Sequence, residues 1–193
     1  MKTIQKFNLA VYFIVLSGMW MMFSGCPRCK DGVGENCPNP INQEELITTV
    51  MLSLRDSATN EITVYSFKDL DGEGGNNPVI DSIYVKNGHK YYSDLILLNE
   101  QESPADTISV EVKEEADEHF VGYEFSPFPV SLSYLDKDAN NLNLGLKTLW
   151  RIPGTPTTGT VTVILKHQPD GVKNGTVTPG DTDVEATFPV VIE

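Results

Sequence analysis

Residues 46–55 read Leu-Ile-Thr-Thr-Val-Met-Leu-Ser-Leu-Arg. Ile47, Thr49, Met51, Ser53 and Arg55 alternate with Leu46, Thr48, Val50, Leu52 and Leu54. Successive side chains of a strand point to opposite faces, so this period of two predicts a strand whose even positions are buried. The same pattern recurs outward. Residues 56–60 read as a turn and 61–67 as the answering strand. Residues 79–86 and 90–98 flank Asn87-Gly88, a hairpin signal because both residues tolerate positive φ. Further strands are predicted at 120–125, 130–135, 144–152, 160–167 and 184–192. Val161, Val163 and Leu165 share one face, as do Val184, Ala186, Phe188, Val190 and Ile192. Pro189 cannot donate to a ladder, which places the last strand at an edge or gives it a bulge.

One stretch departs from alternation. Ser103-Pro104 and the residues that follow, 105–118, combine a cap, a proline near the first helical position, and Ile108 and Val112 four apart, which predicts a short helix. Ile108, Val110 and Val112 also alternate, but the run Glu114-Glu115-Ala116-Asp117-Glu118 is poor strand material. About nine short strands with at most one short helix predict an all-β fold, an antiparallel β-sandwich that is immunoglobulin-like or similar.

The amino-terminal segment has a different character. Residues 1–25 carry Lys2 and Lys6 and no acid, then the apolar run 9–23, then Ser24-Gly25 before Cys26. This is the layout of a secretory signal, and the 15-residue run is shorter than the ~20 residues of a spanning helix. Phe23-Ser24-Gly25-Cys26 resembles the lipobox of bacterial lipoproteins, in which the signal is cut before the cysteine and its thiol is acylated. The resemblance implies lipidation at Cys26 and a protein anchored to a membrane rather than spanning it. Cys29 and Cys37 are then left to pair with each other in an oxidising compartment. Zinc on the three cysteines would lack a fourth ligand and would need the lipidated thiol. Residues 26–43, rich in Pro, Gly and Asn, read as a linker from the lipidated Cys26, and 44–193 as one domain.

Removing two of the 14 basic residues and none of the 27 acidic ones with the signal leaves a net charge near −15. That sign repels nucleic acid and suits solubility or cation capture. Two loops carry the matching residues. Asp69, Asp71 and Glu73, spaced by Gly72, have the alternate oxygens that calcium takes, although Ile80 stands where a full calcium loop has its last acid. Asp136, Asp138 and Asn140 repeat the spacing, with Lys137 and no glycine at the sixth place. Plain turns use the same residues. On a helix, Glu115, Glu118 and His119 would form a second metal candidate, for a transition metal; a solvated face reads the same way. His89 and His167 read as surface or strand-end residues. Enzyme signatures are missing: Leu144-Gly-Leu-Lys147 makes no phosphate loop, and no Gly-x-Ser-x-Gly occurs. Tyr91-Tyr92 and Trp150 read as strand packing or a sugar-stacking surface.

Asn99-Glu-Gln-Glu-Ser-Pro104, Glu111-Val-Lys-Glu-Glu-Ala-Asp-Glu-His119, Asp69-Leu-Asp-Gly72, Asp136-Lys-Asp-Ala-Asn140 and Leu165-Lys-His167 look like those of small flavobacterial-type envelope lipoproteins of uncharacterised function. That group is commonly labelled type 1 periplasmic binding fold. The label implies alternating strands and helices, which the strand pattern does not contain. Two function classes follow. One is a non-catalytic envelope lipoprotein, a binding or accessory module of an outer-membrane complex, on the periplasmic or surface face. The other is capture of a cation, calcium or a transition metal, or of a small ligand, through the acidic loops.

Overall fold

The computed structural model describes residues 46–72 and 74–193. The expected signal segment, linker, lipidation at Cys26 and Cys29–Cys37 pairing lie outside the described residues, as does Glu73. The described chain forms two sheets and one short helix. In chain order the elements are β1 (Thr49–Asp56), β2 (Ile62–Lys68), β3 (Val79–Ile80), β4 (Ile83–Val85), β5 (Lys90–Leu98), α1 (Ile108–Glu114), β6 (His119–Ser126), β7 (Ser131–Tyr134), β8 (Lys147–Arg151), β9 (Thr157–His167) and β10 (Asp181–Ile192). A six-stranded sheet has the order β3-β2-β1-β5-β8-β7, and a four-stranded sheet has the order β4-β10-β9-β6. The described residues form an all-β sandwich, as the alternation predicts.

The period of two sets the core. Val50, Leu52 and Leu54 of β1 are buried, as are Val161, Val163 and Leu165 of β9 and Ala186, Phe188, Val190 and Ile192 of β10. These apolar faces meet between the sheets. Phe67 of β2 meets Phe188 of β10 edge-on at 6.2 Å, and Trp150 of β8 meets Phe125 of β6 at 5.1 Å. Leu46, the first even position, is exposed and precedes the strand. Thr49, an odd position, is fully buried, and its hydroxyl is satisfied there by donating to Glu100 Oε1 at 2.9 Å.

Three expectations change. Residues 79–86 are not one strand. Val79–Ile80 pairs with β2, the chain crosses at Asp81-Ser82, and Ile83–Val85 joins the other sheet beside β10. Asn87-Gly88 therefore closes no hairpin; it carries the chain from one sheet to the other, with Gly88 alone at positive φ, +73. The tertiary pull of two apolar residues, Ile83 and Val85, toward the second core face overrides the local turn signal. The sandwich is also not wholly antiparallel, because β4 runs parallel to β10. Pro189 sits in a strand that is an edge only in part. β10 has β9 on one side throughout, while β4 joins its other side from Val190 onward. The bulge lies elsewhere, between Thr182 and Val184.

The helix is present over 108–114, shorter than the stretch that suggested it. Its two buried residues are Ile108 and Val112, one turn apart, which ties it to the core by a single apolar stripe. It is the only helix among the described residues, and the alternating strands and helices of a periplasmic binding fold are not the architecture seen.

Phe188 is fully buried at the centre of the shared core. Phe188→Ala is expected to cost about 3–5 kcal/mol of unfolding free energy, the range for deleting a buried ring. Urea titration followed by tryptophan fluorescence measures it.

Candidate functional site

Polar side chains gather at both ends of β10. At its start the inward positions of the four-stranded sheet stop being apolar. His119 opens β6 and pairs in register with His167, which closes β9. Their imidazoles stack at 4.7 Å, 8° from parallel. His119 is fully buried, with Nδ1 donating to Glu115 O at 3.2 Å and Nε2 3.9 Å from Asp183 Oδ2. His167 Nε2 stands 3.5 Å from Glu118 Oε2. A carbonyl can only accept, so the neutral His119 ring carries its proton on Nδ1. Burial pushes the imidazole down to about 4; the charges of His167 and Lys173 act in the same direction, and the Glu115 carbonyl and Asp117 oppose it.

The segment 168–180 closes this end. Gln168 donates both amide protons, to Thr176 O at 2.7 Å and Pro179 O at 2.9 Å. Lys173 Nζ, reaching from the same segment, donates to Ala116 O and to Asp138 Oδ2, each at 2.7 Å. Outside the sheet, Val177 lies over Gly122, where a Cβ would come within 2.3 Å of the Val177 side chain. Only glycine admits that approach.

This arrangement decides what the second acidic loop does. Asp138 Oδ1 accepts the N–H groups of Asn140 and Leu142, and Oδ2 takes the Lys173 ammonium. Burial pushes the Asp138 carboxyl up, but Lys173 and those N–H groups outweigh it and hold it below the ordinary range. Asp136 spends its oxygens on Gly145 N and Lys147 N. A lysine thus occupies the place a cation would take. In the first loop, Asp69 Oδ1 accepts Gly72 N, and Asp71 Oδ2 accepts Asn76 N, each at 2.9 Å. The backbone N–H and the side-chain amide of Asn76, both donating to Asp71 Oδ2, hold the Asp71 carboxyl below its usual range and close the turn. Nor do Glu115, Glu118 and His119 share a helical face, because the helix ends at Glu114 and Glu115 is its cap. Among the described residues no group of three or more His, Cys, Asp or Glu side chains is placed to hold a metal ion.

At the far end of β10 lies a cavity of about 180 Å³ walled by Asp56, Glu61, Tyr65, Tyr84, Tyr91 and Glu193, among others. Its phenols serve the crossing strand β4. Tyr65 donates to Tyr84 O at 3.0 Å and accepts from Tyr84 N, while Tyr91 accepts from Lys86 N at 2.9 Å. They satisfy backbone groups that a hairpin would have paired. Burial pushes the Tyr91 phenol up. Asp56 is pushed up by burial, but the Ala58 N–H and His89, at 2.8 Å, bring it below the usual range. His89 is therefore a partner of Asp56 rather than a free surface residue. Trp150 is core, and Tyr92 lies under the Arg55 guanidinium at 4.5 Å.

The sequence hinted at none of the His119–His167 stack, because its two halves lie 48 residues apart; only their strand-end positions were visible. Comparison with family models, with curated proteins and with solved structures finds no match.

Two outcomes follow. A group whose folded value lies below its unfolded 6.5 binds fewer protons in the fold between pH 6.5 and 4, so stability is full above that window and falls as pH drops through it. The loss from His119 is on the order of 3 kcal/mol, and His119→Phe is expected to flatten the melting temperature over this window; equal slopes would mean that the buried ring protonates without cost. Millimolar calcium, in turn, is expected to leave the melting temperature of metal-stripped protein unchanged, since a ligand bound only by the native state would raise it.

Proposed function

We propose that this chain is a non-catalytic cell-envelope lipoprotein, a β-sandwich module carried outside the cytoplasm on a lipidated Cys26 and serving as a binding or accessory part of an outer-membrane complex. The observation that carries the reading is the order of Lys2 and Lys6, the apolar run 9–23 and Ser24-Gly25-Cys26 at the start of the chain. A short apolar run before small residues and a cysteine suits export followed by acylation, and several acyl chains hold a protein durably where one does not. No helix among the described residues is long and apolar enough to cross a membrane. The acidic surface argues against anionic headgroups or nucleic acid as the partner and leaves a protein as the natural one.

Metabolic labelling with an alkyne fatty acid tests the anchor. The expected result is label on the wild-type chain in the membrane fraction, and neither label nor membrane association for Cys26→Ala. An unlabelled wild-type chain sinks the lipid anchor. For the partner, mild detergent extraction is expected to release the protein in an assembly larger than its monomer; elution as a monomer would count against an accessory role.

A further inference from the structure

Lys173 and Asp138 form a desolvated charge pair, with Nζ 2.7 Å from Oδ2 and side chains 2% and 0% exposed. Their other contacts are to backbone. Nζ also donates to Ala116 O at 2.7 Å, and Oδ1 accepts the Asn140 and Leu142 N–H groups, both at 2.9 Å. A buried ion pair carries a desolvation cost that its mutual attraction offsets poorly. An amide between the same two side chains would bury no charge and would keep the contacts to Ala116, Asn140 and Leu142.

We propose that Lys173 and Asp138 condense without a helper enzyme into an intramolecular isopeptide bond, which ties the 168–180 segment to the connection between β7 and β8. The resting pair is charged, because its hydrogen bonds hold the carboxylate in that form. One proton passes from Nζ to Oδ2 along their existing hydrogen bond, leaving a neutral amine against a neutral acid. In a dry site this exchange removes two charges at once. Lysine is a nucleophile once neutral. Its lone pair attacks Cγ, and the negative charge that develops on Oδ1 meets the two backbone N–H groups already aimed there, an arrangement of the oxyanion-hole type. A second Nζ proton moves to Oδ2, the Cγ–Oδ2 bond breaks, and water leaves. One amide and one water result, with no oxidant or reductant. The remaining amide N–H faces Ala116 O, and Oδ1, now the amide oxygen, keeps Asn140 and Leu142. The fold supplies the proximity that makes such a step effectively unimolecular.

Tryptic mass spectrometry of the full chain, denatured and reduced, tests the proposal. An acylated lysine is not a trypsin site, so the expected product is a branched species joining residues 138–147 to residues 167–193, lighter than the two together by one water. Lys173→Arg is expected to release residues 138–147 as a separate peptide of unmodified mass. The wild-type digest decides alone, whether or not the variant folds. Free peptides 138–147 and 167–173 from folded wild-type protein would overturn the proposal and leave an ion pair.

Discussion

Each sheet of this protein is apolar on one side, and neither can keep that side dry without the other. Leu52, Leu54, Leu97 and Trp150 from the six-stranded sheet need Val163, Leu165, Phe188 and Val190 from the four-stranded one. Burial of apolar area is the dominant favourable term, and the period of two that aligns it forbids a register slip, since one step would turn every buried residue outward. The rest of the structure is arranged around this closure. Residues 79–85 change sheets because Ile83 and Val85 find their dry side only next to β10.

Closing the ends raises a different problem. At the end where β10 begins, the inward positions are His119 and His167, and the cover is a long segment without regular structure. Buried polar groups are tolerated when they are bonded. Gln168 fastens the segment to itself, and Lys173 reaches across to Asp138 and Ala116. At the other end, tyrosine hydroxyls answer the backbone of β4 where a neighbouring strand would have done so. Both ends thus use long side chains to finish what strand pairing leaves open.

The two acidic loops illustrate how composition alone misleads. Asp, Gly and Asn at alternate positions suit a cation and suit a turn, because both uses need oxygens pointing at a small electropositive target. In this chain the targets are backbone N–H groups, the side-chain amide of Asn76 and one ammonium. A lysine 35 residues from Asp138 is what separates the two uses there, and its position is a property of the fold.

The sequence by itself determined the β class, most of the strand positions and the core faces, since alternation at Val50, Leu52 and Leu54 or at Ala186, Phe188 and Val190 is a local consequence of strand geometry. It favoured a helix over a strand around Ile108 and Val112, and the fold settled the choice by docking that one apolar pair a turn apart. Tertiary structure alone decided the sheet change at Asp81-Ser82, the parallel partner of β10, the stacking of His119 on His167 and the pairing of Lys173 with Asp138. All four join residues distant in the chain. Such contacts depend on which strands become neighbours, and that choice is made by the burial of whole faces rather than by any residue's own preference.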